Sequence, residues 1–391
     1  MTSGGRTTRF SLEGLETRPS QTWGGIRLVP LVRDEPIDEL RLHRRVYGDD
    51  PTVVDVGDGT YYTSYVPHAF VATWAGEEDD ASAAYGTRLL EREERGLLPS
   101  CMPVRMPRRM ARRVSKNRLR FLPLHLAVEG YLALHFGGPE IAWEEWSRRA
   151  ISSGMSPRVE EAYSGAYVRD LDDALRIFEI HLGQCGVLIY VADSLASAFV
   201  VPHPDDYRAL HATLVEDLYG ELIYQYGLLR PHVPPFGGRV DDASVRSLRD
   251  LRAQADRLQR EWAGFHDEVM AARLFDGEGS FHLVQYLNEC ELYRFLPSFR
   301  LGQENHIGEA ITVGRDEDAR LAYLKTFRLS ETQVRRGYLL SRLAEYDWHL
   351  GRTAEALGQD ESALGLRLER AGFGYLLRQD VLDHYRAQAR R

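Results

Sequence analysis

The sequence predicts an α+β fold for the N-terminal part, with mixed short strands, then a helical middle segment and a C-terminal three-helix helix-turn-helix. Three observations predict it: short apolar runs before residue 230, apolar residues at heptad spacing from Leu248, and amphipathic helices from Tyr338 onward. The length of 391 residues favours two or three domains. The expected divisions are a flexible segment (1–22), an α+β domain (23–230), a helical middle with a β-hairpin (231–330) and a helix-turn-helix domain (331–391).

Strand signals dominate the N-terminal part. Apolar runs predict strands at Ile26–Leu31, Val53–Val56, Tyr61–Val66 and Phe70–Trp74. The segment Gly186–Val201 predicts a hairpin with an Ala-Asp-Ser turn, and a second hairpin is expected within 120–136, broken at Glu129-Gly130. Leu171–Leu182 predicts a helix. A further helix is expected after the Gly186–Val201 hairpin, capped by Asp205 and Asp206.

The middle segment follows a linker rich in proline and glycine, RPHVPPFGGRVDD. Apolar residues then recur at alternating three- and four-residue steps: Leu248, Leu251, Ala255, Leu258, Trp262, Phe265 and Val269. This spacing is typical of a coiled-coil seam, and it leaves two interpretations open. The helix either pairs with a second copy or packs on its own domain. His306–Phe327 predicts a hairpin with a polar tip at Gly314–Asp318.

The C-terminal sixty residues have the most recognisable pattern. Ala354 stands where two helices would touch and only a small side chain fits, and Gly358 stands at the turn, where a positive φ is expected. Leu357, Leu364 and Leu368 form the apolar side of this unit. Gly372 followed by Phe373 predicts a C-cap glycine with an apolar contact.

Residues 333–376 resemble the C-terminal DNA-binding module of the factor-for-inversion-stimulation family. The resemblance implies a recognition helix whose exposed face contacts DNA, and it makes Ser362, Arg367 and Arg370 the candidate contacts. Asp360 and Glu361 begin that helix and would repel a phosphate. Residues 331–391 have 10 basic and 9 acidic side chains, a net charge of only +1. DNA binding and a packing or dimerisation module therefore both remain open.

The first 230 residues resemble the ADP-ribosylglycohydrolase- and rhodanese-phosphatase-associated domain. Ile26–Leu31 matches its N-terminal strand, Asn117-Arg118 match the end of its Gly-Glu-Glu…Gly-Ala-Lys-Gln-Asn-Arg signature, and residues 183–218 match its late hairpin and helix. The chain departs from the signature, since Arg108, Arg109 and Met110 replace the glutamates and Arg113 replaces a glycine. If those glutamates are catalytic or bind a metal in the family, this chain is not expected to keep that activity.

Residues 105–120 (RMPRRMARRVSKNRLR) contain eight basic residues and no acid. Such a run faces an anionic ligand, a nucleic-acid backbone, an acidic partner or bulk water. If the segment is helical, Arg112, Arg113, Lys116 and Arg120 lie on one side. Lys116 is one of only two lysines in this arginine-rich chain. The predicted phosphate-binding residues are Arg108, Arg109, Arg112, Arg113, Lys116, Asn117 and Arg118.

Composition narrows the function classes. The net charge of −9 argues against general polyanion binding, and Cys101, Cys185 and Cys290 are too far apart for a metal or redox motif. We expect no metal, no cofactor, no membrane segment and a bacterial cytoplasmic location. The leading hypothesis is a homodimeric, ligand-responsive DNA-binding protein of transcription regulation, with a nucleotide or other phosphate compound as ligand. The alternatives are an enzyme or degenerate enzyme of ADP-ribose-type metabolism, and an assembly protein whose tail serves self-association. No catalytic residues are indicated, which favours a non-enzymatic protein.

Overall fold

The structure is a computed structural model. It describes residues 12, 14–42, 178, 180–192, 194–215, 231–232, 240–265, 280–287, 289–314 and 319–390. It also describes the backbone of short strands at 53–57, 60–64, 70–74, 83–85, 87–90, 112–115 and 118–120. The predicted helix at Leu171–Leu182 and the predicted hairpin within 120–136 lie largely outside these residues.

A nine-stranded antiparallel sheet forms the centre of the α+β fold. Its strands are β1 (Leu15–Thr17), β2 (Gln21–Trp23), β3 (Ile26–Arg33), β12 (Gln184–Val191), β13 (Ser194–Val200), β14 (Ser280–Leu287), β15 (Cys290–Leu296), β16 (His306–Val313) and β17 (Arg320–Arg328). Their order is β1-β3-β12-β13-β17-β16-β15-β14, with β2 also paired to β3. The sheet takes strands from both 23–230 and 231–330, and β1 lies inside the segment 1–22 that was expected to be flexible.

The central strands are buried on both faces. Every residue of β3 and of β16 is buried. The strand β3 is mostly apolar, as expected for a strand covered on both faces, whereas β16 also buries His306, Glu309 and Thr312. One hydrophobic core includes residues from β3, β12, β13, β15, β16 and β17. The predicted strand at Ile26–Leu31 and the predicted hairpins at Gly186–Val201 and His306–Phe327 are confirmed.

The helix after the β12–β13 hairpin is α1 (Pro204–Thr213), and it packs on the sheet through Tyr207 and Leu210. The prediction that Asp205 and Asp206 cap this helix is wrong. Nδ1 of His203 accepts the hydrogen bond from the backbone N–H of Asp205 at 3.1 Å, so His203 is the N-cap. The two aspartates lie in the first turn, where the helix dipole favours negative charge.

Shorter strands precede this region. They are β4 (Leu40–Leu42), β5 (Val53–Gly57), β6 (Thr60–Ser64), β7 (Phe70–Trp74), β8 (Ala83–Tyr85), β9 (Thr87–Leu90), β10 (Arg112–Ser115) and β11 (Arg118–Arg120). Two three-stranded sheets, β4-β7-β8 and β5-β6-β9, and the two-stranded pair β10-β11 result. The strands predicted near residues 53, 61 and 70 are therefore confirmed.

The heptad segment forms α2 (Leu248–Phe265), as predicted. The first residues of its apolar seam are exposed to solvent: Leu248 is 72% exposed and Leu251 is 41% exposed. In the parts of the chain that the structure describes, no helix is both long and apolar enough to cross a membrane.

The C-terminal tail contains α3 (Glu331–Glu345), α4 (Leu350–Ala356), α5 (Glu361–Leu368) and α6 (Gln379–Gln388). A π-helical stretch (Glu369–Phe373) and a 3₁₀ turn (Gly374–Leu376) connect α5 to α6, a fourth helix that the sequence did not predict. A second hydrophobic core holds the tail together, with Leu339, Leu340, Leu343, Ala354, Leu364, Leu368 and Phe373 buried in it.

Candidate functional site

The basic segment forms a β-hairpin where the structure describes it. The register places Arg112 opposite Arg120 and Ser115 opposite Arg118. The helical alternative, in which Arg112 and Arg120 lie on one side of a helix, is therefore wrong, because these two positions pair across two strands. Arg108, Arg109, Lys116 and Asn117 lie outside the described residues, as do the side chains of Arg112, Arg113 and Arg118. Directly opposed arginine positions destabilise a hairpin unless an anion or an acidic group lies nearby.

The tail has the turn geometry that the sequence predicted between α4 and α5. Gly358 has a φ of 65° and Gly372 a φ of 86°, in the left-handed region that favours glycine. Ala354 is buried against α5, as expected for a small residue at a close helix contact. Asp360 is the N-cap of α5, since its carboxylate accepts from the backbone N–H of Ala363 at 2.6 Å.

One face of α5 is exposed and positively charged. Leu364, Gly365 and Leu368 are buried, while Ala363, Arg367 and Arg370 are exposed. The spacing of four and then three residues places the exposed three on one side of the helix and of the turn that continues it. The hydroxyl of Ser362, the third predicted contact, donates to Asp360 Oδ1 at 2.7 Å. Ser362 is half-buried, so the two arginines are the main polar groups of this face.

Four other arginines of the tail are neutralised by nearby acids. Ion pairs join Arg335 to Glu331 (2.6 Å), Arg342 to Glu345 (2.6 Å), Arg378 to Asp380 (2.7 Å), and Arg386 to both Glu369 and Asp383. Among the described residues, no ion pair involves Arg352, Arg367, Arg370 or Arg390. The free positive charge of the tail therefore includes the exposed face of α5, although the tail is nearly neutral as a whole.

The two acids at the start of α5 have partners within the tail. The N–H of Ala363 and the hydroxyl of Ser362 lower the pKa of the Asp360 carboxyl, which stabilises its charged form. Glu361 Oε2 accepts from the hydroxyl of Tyr385, on α6, at 3.3 Å. Glu361 is thus directed toward α6, away from Arg367 and Arg370.

The helix α3 connects the sheet to the tail. Val334 and Tyr338 pack on the sheet core, whereas Leu339 and Leu343 belong to the tail core. The ring of Phe299, in the loop between β15 and β16, lies directly against Gly337, where a Cβ would come within 2.1 Å of its Cε1 atom. A displacement of β16 or β17 would therefore be transmitted to α3 through close packing.

A second polar arrangement lies inside the sheet and was missed by sequence reasoning. The strand registers place His282, Arg294, Glu309 and Lys325 opposite one another on β14, β15, β16 and β17. We call these four residues the charged row. His282 is exposed and Arg294 half-buried, while Glu309 and Lys325 are fully buried. The charged row thus runs from the edge of the sheet into its core.

The inner end of the charged row has titratable partners. The hydroxyl of Tyr323 donates to Glu309 Oε1 at 3.1 Å. Burial lowers the pKa of the Lys325 amine to about 7, although the carboxylate of Glu309 acts in the opposite direction. At the outer end, burial and the positive charge of Arg294 lower the pKa of the His282 imidazole. A lysine with such a pKa is partly neutral at physiological pH and can act as a nucleophile or base.

The sequence contained one signal for this site. Lys116 and Lys325 are the only two lysines among 49 basic residues, so both stand out against the chain's strong preference for arginine. The apolar surroundings of Lys325 in the sequence gave no reason to select it. Its acidic neighbour, Glu309, becomes visible only through the pairing of β16 with β17.

The buried cysteines and His306 are less suited to catalysis than Lys325. Burial raises the pKa of the Cys185 and Cys290 thiols to about 11, which keeps both protonated and unreactive. Burial lowers the pKa of His306 to about 3, and neither of its ring nitrogens has a hydrogen-bond partner among the described residues. Within the same residues, no group of histidine, cysteine and acidic side chains could hold a metal ion.

The family of the chain follows from its match to a family model. Residues 10–288 match the family model ARPP-2, which is more than half of the chain, and the chain belongs to the ARPP-2 family. The match covers β1 to β14 and ends before β15, so three of the four residues of the charged row and the whole tail lie beyond it. No curated protein and no solved structure matches the chain.

Proposed function

We propose that this protein is a DNA-binding regulator, which uses the exposed face of α5 to contact the phosphates of duplex DNA. The observation that carries the proposal is the placement of Arg367 and Arg370 on one exposed face, without ion pairs among the described residues. The resemblance of residues 333–376 to the factor-for-inversion-stimulation module supports the same surface. Acids neutralise four other arginines of the tail, whereas Arg367 and Arg370 have no ion pair among the described residues, so their charge favours an anionic partner.

This contact would give little sequence specificity. The helix α5 (ESALGLRL) contains no lysine, asparagine or glutamine, the residues which together with arginine most often read base edges. Ala363 is small and would allow close approach of the DNA backbone to the helix. We therefore expect a regulator that binds many duplex sequences with similar affinity, whose selectivity comes from its ligand or its assembly.

The ligand is proposed to be a phosphate compound of the nucleotide type. The eight basic residues within 105–120 and the resemblance of the N-terminal part to a domain associated with ADP-ribose metabolism support it. The helix α3 could transmit a change in the sheet to the tail, because it packs on both hydrophobic cores. Ligand binding would alter DNA affinity only if α3 can adopt a second arrangement and the ligand binds one of the two more tightly.

The DNA-bound form is proposed to be a homodimer in which two copies of α2 pair. The seam at heptad spacing begins with Leu248 and Leu251, which are 72% and 41% exposed, and a second copy offers the same spacing. An assembly protein that uses this seam without binding DNA is the second candidate, and the exposed leucines are the observation that favours it. Replacing Leu251 and Leu258 by Ser should convert the dimer to a monomer in light scattering.

Titration of a fluorescent duplex with the full chain tests DNA binding. The double variant Arg367→Ala/Arg370→Ala should lose affinity, and its salt dependence should weaken by up to two phosphate contacts, each contributing about 0.9 to the logarithmic slope. The matched control is Arg335→Ala/Arg378→Ala, which removes the same charge from ion-paired positions. Equal losses for both variants, or no binding by the wild type, would refute the proposal.

A further inference from the structure

Lys325 occupies a position where a permanently charged residue would not serve the same purpose. The chain uses arginine for nearly all of its basic residues, with two lysines among 49. A guanidinium stays protonated in proteins, whereas a buried amine loses its proton readily. A cation needed only to pair with Glu309 could equally be an arginine. The choice of lysine in the core of the sheet points to the chemistry of a neutral amine.

The surroundings of Lys325 supply groups that move protons. Glu309 lies opposite it on β16, and Tyr323, two residues away on β17, donates its hydroxyl to the Glu309 carboxylate at 3.1 Å. On the other side, Phe199 of β13 pairs with Lys325 in the sheet and contacts Tyr323 edge to face at 6.0 Å. Lys325 therefore lies between Glu309, which is bonded to Tyr323, on one neighbouring strand and Phe199 on the other.

The outer end of the charged row is positively charged. Arg294 and His282 continue the row to β14, the last strand of the sheet in the described part of the chain. An anionic group approaching the sheet edge would meet His282 on β14 and then Arg294 on β15, and the Lys325 amine lies two strands further in. A molecule with an anionic group at one end and a carbonyl group at the other matches this order of charges.

We propose that Lys325 is a reactive amine, which forms an imine with an anionic carbonyl compound that enters from the β14–β15 edge, where Arg294 and His282 bind its negative group. The nitrogen lone pair of Lys325 attacks the carbonyl carbon and forms a C–N bond. The carbonyl oxygen takes up both amine hydrogens and leaves as water, and Glu309 with Tyr323 relays them. No oxidant or further reactant is needed. This inference goes beyond DNA binding and stands independently of it.

Lys325 is fully buried, so the compound reaches it only when the edge hairpin β14–β15 opens. Exposed apolar side chains on β14, Leu283 and Tyr286, are consistent with an edge that is weakly held. The rate of reaction at Lys325 then reports both the opening and the charge state of the amine. A buried structural lysine in a closed sheet would not react at all.

Borohydride trapping tests the proposal with pyridoxal 5′-phosphate as the probe, because this aldehyde carries a phosphate and its reduced imine is stable. Peptide mass spectrometry of the folded full chain then gives the modified fraction of Lys325, and Nα-acetyl-lysine added to the same solution is the control. We expect Lys325 to be labelled roughly tenfold faster than this free lysine side chain at neutral pH, since an ordinary lysine is almost entirely protonated there. The Lys325 rate should reach half of its maximum near pH 7.

Two variants separate the contribution of the anion-binding residue Arg294 from that of the Lys325 amine. Arg294→Gln should slow labelling by pyridoxal 5′-phosphate several-fold and leave labelling by propanal, a neutral aldehyde, unchanged. Lys325→Arg should abolish the label at this position, while Lys116→Arg should have no effect on it, and thermal melting checks that each variant is folded. Labelling of Lys325 only after denaturation, or a rate that keeps rising up to pH 10 as for a solvated amine, would overturn the proposal.

Discussion

Charged side chains are buried in the core of the sheet and exposed in the tail. In the sheet, Glu309 and Lys325 are fully buried and oppose each other across β16 and β17. In the tail, pairs such as Arg342–Glu345 lie at the surface, and Arg367 and Arg370 are left without an ion pair among the described residues. A buried charge is governed by desolvation, whereas an exposed charge is governed by solvent, salt and partners. The sheet's charges should therefore control stability and its pH dependence, and the tail's should control binding.

The largest expected difference concerns the two kinds of ion pair. Glu309→Gln keeps the shape of the side chain but removes the carboxylate that raises the pKa of Lys325, so the buried amine must either stay charged without a partner or lose its proton. We expect a loss of up to about 3 kcal/mol in the free energy of unfolding at about pH 6, because both outcomes cost free energy. Glu345→Gln, which breaks the exposed pair with Arg342, should cost less than about 1 kcal/mol. Urea denaturation measures both, and similar losses would mean that burial does not set the strength of these pairs.

The buried amine also makes stability depend on pH. The pKa of Lys325 is about 7 in the folded protein and 10.5 as its ordinary value, so the unfolded chain binds more protons between these values. Stability should therefore rise with pH above 7, by about 2 kcal/mol up to pH 9. Above pH 9 the raised pKa values of Cys185 and Cys290 act in the opposite direction. Lys325→Met should flatten the rise in urea midpoints, and an unchanged slope would exclude Lys325 as its cause.

The contact between sheet and tail can be broken by one methyl group. Gly337→Ala would place a Cβ 2.1 Å from the ring of Phe299, which must then move, at a cost of about 1–3 kcal/mol. Gly351→Ala is the matched control, because its Cβ would meet mainly the movable carboxylate end of Glu361 and, at 3.3 Å, the ring of His349, both within the tail. Hydrogen exchange should show faster exchange in α3 and the loop at 297–305 for the first variant alone. If Gly337→Ala leaves these amides protected, the sheet and the tail are not coupled through Phe299.

The sequence predicted local features of this fold better than its long-range pairing. The strand at Ile26–Leu31 and the helix from Leu248 were predictable because continuous apolar runs and heptad spacing are properties of neighbouring residues. Gly358 was predictable because a turn of this kind needs a positive φ, and the structure gives it 65°. The pairing of β13 with β17 joins residues more than a hundred positions apart, and no local pattern encodes its register.

The candidate sites follow the same division. Arg367 and Arg370 were predicted because they stand in a short motif with known helix positions. That they lack an ion pair among the described residues becomes visible only in the structure, where the nearby Glu369 pairs with Arg386 on α6. The charged row escaped prediction because its members are 12 to 16 residues apart along the chain and meet only through the sheet register.

The smallest expected effect concerns Asp360. Its carboxylate caps α5 and stays charged, because the N–H of Ala363 and the hydroxyl of Ser362 lower its pKa. Asp360→Asn keeps a good N-cap, so the melting temperature should change little, but it removes a negative charge from the start of the helix that we propose to contact DNA. Affinity for duplex DNA should therefore rise about two- to fivefold at low salt and less at high salt, since added ions screen exposed charges.

The control for this effect is Asp383→Asn on α6, which removes a carboxylate that pairs with Arg386 and frees positive charge elsewhere in the tail. If the tail attracts DNA only through its net charge, both substitutions should raise the affinity equally. If DNA lies against the start of α5, Asp360→Asn should have the larger effect, and it should disappear in the Arg367→Ala/Arg370→Ala background. An Asp360→Asn variant that binds DNA more weakly than the wild type would place the contact on another surface of the tail.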